Sequence, residues 1–382
     1  MGLASRGYRE SSEPRVEPNV GDELLRIEGL RVEFHADSGL TTAVREFDAS
    51  LRAGTVVGVA GESGSGKTTL ALAAMGLLPP GASVSGSIRY FGTGIETELL
   101  SLSEKDLRSY RGRHLGMIFQ ETTAALNPVM RIGDQLTMAA RAHIDGNKAV
   151  IRERVVAALE DVRLTDTDRV MSSYPHELSG GQCQRIMIAM ALSCGSRLLF
   201  ADEPTTALDV SVQKEILKLI RDLVVSRNLA VLIISHDLAV LAEICDELLI
   251  MYRGEIVEVG PIQEILNSPA HPYTRALLDC LPHLHGRRGR LPELPPSEAV
   301  DLPGDGCRFR NRCVFAVDAC VKEPALLDVS PGLVRRARCW RSGEVLESGV
   351  DAIHVQSFQT QPRDSLESVA ATVNTQSEQL DA

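Results

Sequence analysis

The sequence lacks a long apolar run and an excess of basic residues, and each absence excludes a class of protein. Its longest apolar stretch, TLALAAMGLL at residues 69–78, is far shorter than the roughly 20 residues that a membrane-spanning helix needs. Lysine and arginine total 40 against 51 acidic residues, which gives a net charge of -11. That balance argues against a sequence-independent grip on nucleic acid, because such binding needs many cations to neutralise phosphates.

An export signal is also missing. Residues 1–20 hold no apolar core of the kind that a signal peptide has, so we expect a cytoplasmic chain, where structural disulfides are rare. The first 22 residues and residues 343–382 are poor in apolar side chains, and we expect both tails to be disordered. With 382 residues, 44% of them apolar, the chain is long enough for two domains, or one domain and an appendage.

Between the tails, short apolar runs alternate with helical patterns. Continuous apolar runs are typical of parallel strands that helices cover on both faces. A helix is predicted over residues 147–162, where Ile151, Val155 and Leu159 share one stripe. After about residue 285 the alternation stops, so we expect a three-layer α/β domain, a linker and a small cysteine-bearing appendage. The predicted strands are residues 55–61, 114–119, 197–202 and 229–235.

The stretch GESGSGKTT at residues 61–69 follows a predicted strand and opens a predicted helix. Its glycines let the backbone curl so that N–H groups face phosphate oxygens, and the helix N-terminus adds a favourable dipole. Lys67 can reach the β- and γ-phosphates, and the Thr68 hydroxyl can ligate Mg²⁺. The stretch therefore predicts a nucleotide site. The residues expected to contact the nucleotide are Gly61, Ser63, Gly64, Gly66, Lys67, Thr68 and Thr69.

Two carboxylates end the apolar run LLFADEP at residues 198–204. Asp202 would lie at the carboxyl end of its strand, where doubly wound sheets place ligands, and could hold Mg²⁺. Glu203 is placed to orient or deprotonate the attacking water. His236 follows another predicted strand and could contact the γ-phosphate, although a lone histidine there fits a capping or core role equally well.

The stretch LSGGQCQR at residues 178–185 predicts a second anion site. Ser179 is a candidate N-cap, and Gly180 and Gly181 would expose backbone N–H groups at the helix start. One bound triphosphate cannot use both sites unless the second belongs to another copy of the domain.

Taken in order, these motifs resemble the nucleotide-binding subunit of ATP-binding cassette (ABC) transporters, over roughly residues 24–270. The resemblance implies a RecA-type cassette with a parallel-sheet core, an antiparallel β-subdomain and an α-helical subdomain. It also implies that two cassettes pair head to tail and enclose two ATP molecules. The matching motifs are the Walker A loop GESGSGKT, the Q-loop MIFQE at Gln120, the signature LSGGQ, Walker B LLFADE, the D-loop ALD at 207–209, and the switch histidine His236.

The resemblance also implies roles for single residues. Ser179, Gly181 and Gln182 would reach the γ-phosphate that the partner cassette binds. Asp209 would lie at the seam between the two sites.

Other implied roles concern the nucleotide of this chain. Gln120 would join Thr68 and Asp202 around Mg²⁺ and couple that region to the membrane subunits. Phe34 is the candidate for stacking on adenine, although an ordinary strand aromatic fits it nearly as well. Because Glu203 and His236 are both present, we expect this half-site to hydrolyse ATP.

One position departs from the family pattern. Cys183 lies where related signature helices often carry a long polar or basic residue, and we expect activity to survive this change.

Downstream, HPYTRALLDCLPHL (271–284), RLPELPP (290–296) and GCRFRNRC (306–313) resemble the C-terminal extension of dipeptide and oligopeptide importer ATPases. ETTAALNPVMRIGDQL (121–136) resembles the same subgroup, in a region that faces the permease. The resemblance implies a cassette at 23–270 and a C-terminal domain at 271–342.

A peptide importer of this kind implies several partners. We expect two membrane permease subunits, a second ATPase that is a paralogue, an extracellular substrate-binding protein, and no nucleic acid. The chain would lie peripherally on the cytoplasmic face of the membrane. The alternatives are an importer of nickel or another small solute, a soluble ABC ATPase of DNA repair or translation, and a sensor module.

Four cysteines cluster near the C-terminus, at Cys307, Cys313, Cys320 and Cys339. Their spacing does not fit the paired C-x2-C ligands of common zinc modules. Four thiolates in a segment with few apolar residues suggest a metal centre that substitutes for a core. The family resemblance implies a 4Fe–4S cluster, with zinc or no metal as the alternatives. We expect a structural or regulatory role, since nothing in the sequence places these thiols near the phosphates.

Overall fold

The computed structural model describes residues 19–36, 39–120, 125–206, 208–280, 306–329 and 335–348. Several predicted features lie outside these ranges, at least in part. They are the N-terminal tail, the start of the 121–136 segment, Ala207 of the D-loop, residues 281–284 of the HPYTRALLDCLPHL stretch, the predicted linker, RLPELPP, and the tail beyond residue 348.

In the described residues twelve strands form two sheets. All four predicted apolar runs become strands that are buried at every position, at Val56–Ala60, Leu115–Ile118, Leu198–Asp202 and Ala230–Ile234. The strands are β1 (Glu23–Ala36), β2 (Gly39–Arg52), β3 (Val56–Ala60), β4 (Ala82–Tyr90), β5 (Thr97–Glu98), β6 (Leu115–Ile118), β7 (Leu198–Asp202), β8 (Ala230–Ile234), β9 (Glu247–Tyr252), β10 (Glu255–Pro261), β11 (Leu327–Asp328) and β12 (Arg336–Ala337).

The larger sheet has the strand order β11-β12-β10-β9-β3-β8-β7-β6. Its five strands from β9 to β6 run parallel, whereas β10, β12 and β11 pair antiparallel at the other edge. The smaller sheet is antiparallel, in the order β2-β1-β4-β5. The parallel core and the antiparallel β-subdomain that the sequence predicted are therefore confirmed.

Several of the helices begin where a side chain caps the free backbone N–H groups. Asn147 accepts hydrogen bonds from two amides at the start of the helix Lys148–Asp161, and Ser103 accepts one at the start of the helix Glu104–Tyr110. The helices are α1 (Lys67–Ala74), α2 (Glu104–Tyr110), α3 (Ile132–Arg141), α4 (Lys148–Asp161), α5 (Thr167–Ser172), α6 (Gly180–Leu192), α7 (Val210–Arg227), α8 (Leu238–Ile244), α9 (Ile262–Asn267), α10 (Pro272–Asp279) and α11 (Ser342–Glu347). Helix α4 confirms the helix that was predicted over residues 147–162. None of the helices in the described ranges is long and apolar enough to span a membrane.

Alternate side chains of the large sheet enter two different cores. On one face Val57 and Val59 pack with the smaller sheet and α1. On the other face Val231 and Ile233 pack with the helices from α3 to α10. The chain thus forms three layers, with the large sheet in the middle, and the carboxyl ends of its parallel strands meet at one edge.

The segment that carries the four clustered cysteines (residues 306–329 and 335–348), called the cysteine segment below, is not a separate appendage. The expectation of a small appendage is therefore wrong. Strand β12 pairs with β10, and β11 pairs with β12, so the segment continues the large sheet. Its Phe309 is only 2% exposed and belongs to the core of the cassette. The carboxylate of Glu258, which is fully buried, pairs with the Arg335 guanidinium at 2.7 Å. The segment holds few apolar residues because it uses the core of the cassette instead of building its own.

Candidate nucleotide site

The phosphate loop connects β3 to α1, and its glycines are required where the backbone packs closely. A Cβ atom at Gly61 would lie 2.2 Å from the Met251 carbonyl oxygen. Gly66 is the N-cap of α1 with φ of 101°, and a Cβ there would lie 2.3 Å from the Ala43 carbonyl oxygen. The chain can therefore curl between β2 and β9. Along the loop Ser63, Gly64 and Thr68 are exposed and Thr69 is half-buried.

Lys67 points back across the loop that precedes it. Its Nζ donates hydrogen bonds to the carbonyl oxygens of Gly61 at 2.8 Å and Glu62 at 2.9 Å. Burial lowers the pKa of the ammonium, while the carboxylates of Glu203 and Asp202 oppose that shift. The side chain is thus a buried cation held by loop carbonyls, and it can exchange these acceptors for phosphate oxygens.

Asp202 ends β7 and is only 2% exposed. Burial raises the pKa of its carboxyl group, and a hydrogen bond from Thr68 opposes the shift. Its Oδ1 atom is buried and has no hydrogen-bond partner among the described residues. A buried orphan oxygen beside a hydroxyl fits the ligand preference of Mg²⁺, so these two residues can hold the metal.

Glu203 follows Asp202 and adopts a left-handed backbone conformation with φ of 47°. For a residue other than glycine this conformation is strained. Its carboxylate lies 2.9 Å from His236 Nδ1 and accepts from Thr206 Oγ1 at 2.8 Å and Gln120 Nε2 at 3.4 Å. Burial acts to raise the pKa of Glu203, but the hydrogen bonds from His236 and Thr206 outweigh it and leave the pKa lowered. The group is therefore ionised at neutral pH.

His236 is neither a core residue nor a helix cap. Its side chain is 64% exposed and its ring contacts Glu203. The cap of α8 is Asp237, whose carboxylate accepts from the Ala239 N–H at 2.8 Å. Of the three interpretations that the sequence left open, contact with the reactive region fits this geometry.

The signature segment forms the exposed start of α6. Ser179 and Gln182 form a reciprocal capping box, in which each side chain accepts from the backbone N–H of the other. A Cβ at Gly181 would lie 2.6 Å from Val212 Cγ1, so the glycine lets α6 pass close to α7. Asp209 is the N-cap of α7 and accepts from two backbone amides. Ser179 and Asp209 are both exposed, and a partner could approach them.

The unusual Cys183 points inward. It is 2% exposed, and its thiol donates to the Pro175 carbonyl oxygen at 3.5 Å. Burial raises the pKa of this thiol. The position therefore carries a small buried side chain, which explains why the departure leaves the exposed capping box intact.

Phe34 lies in β1, opposite Thr41 of β2 and Ala82 of β4. It is half-buried and packs against the core that the smaller sheet shares with α1. The loop itself touches β2 at Ala43. Phe34 is thus one strand away from the phosphate loop, and its stacking role stays a prediction.

The site contains two residues that sequence reasoning did not assign to it. Tyr273 accepts a hydrogen bond from the Glu62 N–H at 2.8 Å, and Arg312 pairs with the Glu62 carboxylate through both terminal nitrogens. Arg312 lies between two of the clustered cysteines. The segment that carries these cysteines therefore reaches the phosphate loop through Arg312, a contact that the sequence did not indicate. No local pattern could have linked positions that are 250 residues apart.

The four clustered cysteines are all free thiols that lie near one another. Burial raises the pKa of Cys307, Cys313 and Cys339 to about 11 each, and neighbouring cysteines of the cluster contribute. Cys320 is the shared neighbour of all three. Among the described residues, however, no three His, Cys, Asp or Glu side chains are arranged to hold a metal ion. The expected metal centre thus finds no support in this geometry.

A phosphate loop, a carboxylate pair at a strand end and an exposed signature helix define this fold as an ATP-binding cassette. The family model for ABC transporters matches residues 44–206, and that for the oligopeptide/dipeptide transporter C-terminal region matches residues 257–320.

The sequence is 42% identical over 327 residues to the oligopeptide transport ATP-binding protein OppD of Escherichia coli, covering 85% of this chain and 95% of OppD. It is 41% identical over 321 residues to the dipeptide transport ATP-binding protein DppD of Escherichia coli, covering 83% and 96%. The chain belongs to this family of ABC transporter ATP-binding subunits, and it is an ATPase.

Solved structures agree on the fold. The cassette cbiO1 of Clostridium perfringens, part of the transporter complex cbiONQ, superimposes with a TM-score of 0.55 at 26% identity, over 64% of this chain and 90% of its own. MJ0796, a dimeric bacterial ABC transporter cassette, gives a TM-score of 0.54 at 22% identity, over 63% and 99%.

Proposed function

We propose that this protein is the ATP-hydrolysing subunit of an importer that carries dipeptides or oligopeptides through a membrane permease. The observation that carries the proposal is the similarity to OppD and DppD, which extends over 95% and 96% of those proteins. Import of nickel or another small solute is the alternative, because the cargo is selected by other subunits of such systems.

The test is reconstitution of the purified complex in liposomes, followed by ATP-dependent uptake of a labelled dipeptide, a labelled oligopeptide and a nickel chelate. Peptide uptake that requires internal ATP would support the proposal. Uptake of the nickel chelate alone would identify nickel as the cargo and would leave the assignment as a transporter subunit unchanged. Recovery of the protein with ribosomes or DNA, and without a permease, would overturn it.

Within the site we assign Glu203 as the base that activates water. The carboxylate is ionised, three side chains hold it, and it follows the candidate Mg²⁺ ligand Asp202. When bound, Mg²⁺ would neutralise charge on the phosphates, held by Thr68, Asp202 and Gln120. His236 would keep the Glu203 carboxylate oriented and face the γ-phosphate.

We further propose that the chain works as one half of a cassette pair on the cytoplasmic face of the membrane. The exposed N-terminus of α6 carries backbone N–H groups that can bind an anion. The nucleotide on this chain's own phosphate loop would not use them, whereas the nucleotide of a partner cassette would. A paralogous ATPase is the expected partner, together with two permease subunits and an extracellular binding protein. Affinity purification of the tagged chain with its neighbours would test this assembly.

The cysteine cluster is proposed to hold a 4Fe–4S cluster. Four free thiols from one segment supply the donor set that such a cluster uses. Their spacing in the sequence does not fit the paired C-x2-C ligands of common zinc modules, which favours the cluster over zinc.

The assay is anoxic purification with iron, sulfide and zinc analysis of the wild type, Cys313→Ser and the control Cys280→Ser. Iron and sulfide that only Cys313→Ser loses would support the cluster. Zinc without sulfide would replace it with a zinc site. Wild-type protein that contains neither iron nor zinc would contradict the proposal of a metal centre.

A further inference from the structure

Arg312 connects the cysteine segment directly to the phosphate loop. Its side chain is 8% exposed, and its two terminal nitrogens bind the Glu62 carboxylate at 2.8 and 3.0 Å. One of them also donates to Tyr252 Oη at 3.2 Å, and the rings of Tyr252 and Phe309 flank the guanidinium at 5.8 and 5.7 Å. A bidentate pair supported by two aromatic rings is a fixed contact and not a mobile surface ion pair.

Every polar group of Glu62 has a partner in this arrangement. Arg312 holds the carboxylate, the Tyr273 hydroxyl accepts from the N–H at 2.8 Å, and the carbonyl accepts from Lys67 Nζ at 2.9 Å. Glu62 follows Gly61 at the start of the loop. The position of Glu62 therefore determines where the backbone of the phosphate loop starts to curl.

The pair also has an electrostatic consequence. The Glu62 carboxylate is close enough to Lys67 to act on the pKa of its ammonium, so it carries negative charge beside the predicted triphosphate site. An unpaired carboxylate there would repel phosphate, and Arg312 neutralises it.

We propose that Arg312 is a positioning residue for ATP binding: it fixes Glu62 and neutralises its charge, so that nucleotide affinity depends on the docked cysteine segment. The proposal needs neither a metal at the thiols nor a particular cargo. Failure of the peptide-import or cluster proposals would leave it standing.

The experiment measures the Kd for Mg-ATP of the purified full-length chain, by competition with a fluorescent ATP analogue, together with its melting temperature without nucleotide. The variants are Arg312→Ala, Arg312→Lys, and Arg312→Ala combined with Glu62→Gln. Arg310→Ala is the control, since Arg310 lies in the same turn and is not a partner of Glu62.

We expect Arg312→Ala to raise the Kd about tenfold, because the Glu62 carboxylate would then be unpaired beside the phosphates and would repel them. The Kd of Arg312→Lys should lie between those of the wild type and Arg312→Ala, because lysine restores the positive charge without the bidentate geometry. Adding Glu62→Gln should return the Kd toward the wild-type value, and Arg310→Ala should not change it.

A purely structural role of Arg312 would lower the melting temperature of Arg312→Ala and give no recovery of the Kd in the double variant. That result, or a Kd within twofold of wild type for Arg312→Ala, would overturn the proposal; if Arg312→Ala does not fold, Arg312→Lys and the double variant decide it.

Discussion

The Nδ1 atom of His236 lies 2.9 Å from Oε1 of Glu203, and this contact joins the ends of two neighbouring parallel strands. Strands β7 and β8 pair with Asp202 opposite Ile234, so the residues that follow them emerge at one edge. The left-handed backbone at Glu203 turns its carboxylate out of the strand direction. The surrounding hydrogen bonds hold that strained conformation, which is what a positioned base requires.

Replacing this base should separate ATP binding from turnover. We predict that Glu203→Gln keeps nucleotide binding and lowers steady-state hydrolysis by about 10²- to 10⁴-fold, because removing a positioned general base has that cost. Phosphate release from the purified transporter complex at saturating ATP is the measurement. Glu215→Gln is the control, because Glu215 is an exposed residue paired with Arg185. Hydrolysis by Glu203→Gln at the level of this control would remove Glu203 from the base role.

Lys67→Ala should weaken binding of the nucleotide itself. The substitution removes the buried cation that contacts the loop carbonyls and that we expect to face the β- and γ-phosphates. We predict at least a tenfold higher Kd for Mg-ATP, about 1.4 kcal/mol of binding free energy, by competition with a fluorescent analogue. Lys214→Ala, at an exposed lysine 3.9 Å from Glu243, should bind like the wild type. Equal affinities for the two variants would contradict the assignment.

Features encoded by consecutive residues could be predicted from the sequence. The strands around the site and the phosphate loop depend on local apolar runs and on glycines at close backbone contacts, and both are visible in one short window. Helix α4 likewise follows its apolar stripe, and Ile151, Val155 and Leu159 are all buried.

Features that join distant positions could not be predicted. The pairing of Arg312 with Glu62 depends on how the C-terminal segment packs, and no periodicity reports it. Strands β11 and β12 have two residues each, too few to show an alternating pattern, so the segment looked like an appendage. The thiols were expected to form a core around metal, whereas Phe309 belongs to the apolar core of the cassette and Ala337 is only 2% exposed.

The signature glycines provide a matched pair of substitutions. A methyl group at Gly181 would meet Val212 Cγ1 at 2.6 Å, whereas one at Gly180 would meet Leu208 Cδ2 at an ordinary 3.5 Å. We predict that Gly181→Ala lowers the free energy of unfolding by about 1–3 kcal/mol, the usual cost of overpacking. Gly180→Ala should be neutral or stabilise by up to about 1 kcal/mol, since alanine favours helix.

Urea unfolding of the full-length variants measures both effects. Val212→Ala in the Gly181→Ala background should recover part of the loss, because it removes the clashing methyl group. If Gly181→Ala and Gly180→Ala unfold at the same urea concentration, the close approach of α6 and α7 is not what requires the glycine.

The last prediction concerns His271, the buried N-cap of α10. Its ring is 1% exposed, and Nδ1 accepts from the Tyr273 N–H at 3.0 Å. Burial lowers its pKa from 6.5 to about 3, so the folded protein keeps the ring neutral where the unfolded chain protonates it. The unfolded state binds the extra proton between these two pKa values. The contribution of His271 to stability is therefore complete above pH 6.5 and is lost as the pH falls toward 3.

At pH 5 this loss amounts to about 2 kcal/mol relative to pH 7, from about 1.4 kcal/mol per pH unit. We predict that urea unfolding shows this excess acid sensitivity in the wild type and not in His271→Asn, whose amide oxygen can still accept from the Tyr273 N–H. His176→Asn, at an exposed histidine, should keep the wild-type dependence on pH. Parallel pH profiles for the wild type and His271→Asn would show that the ring is not buried in its neutral form.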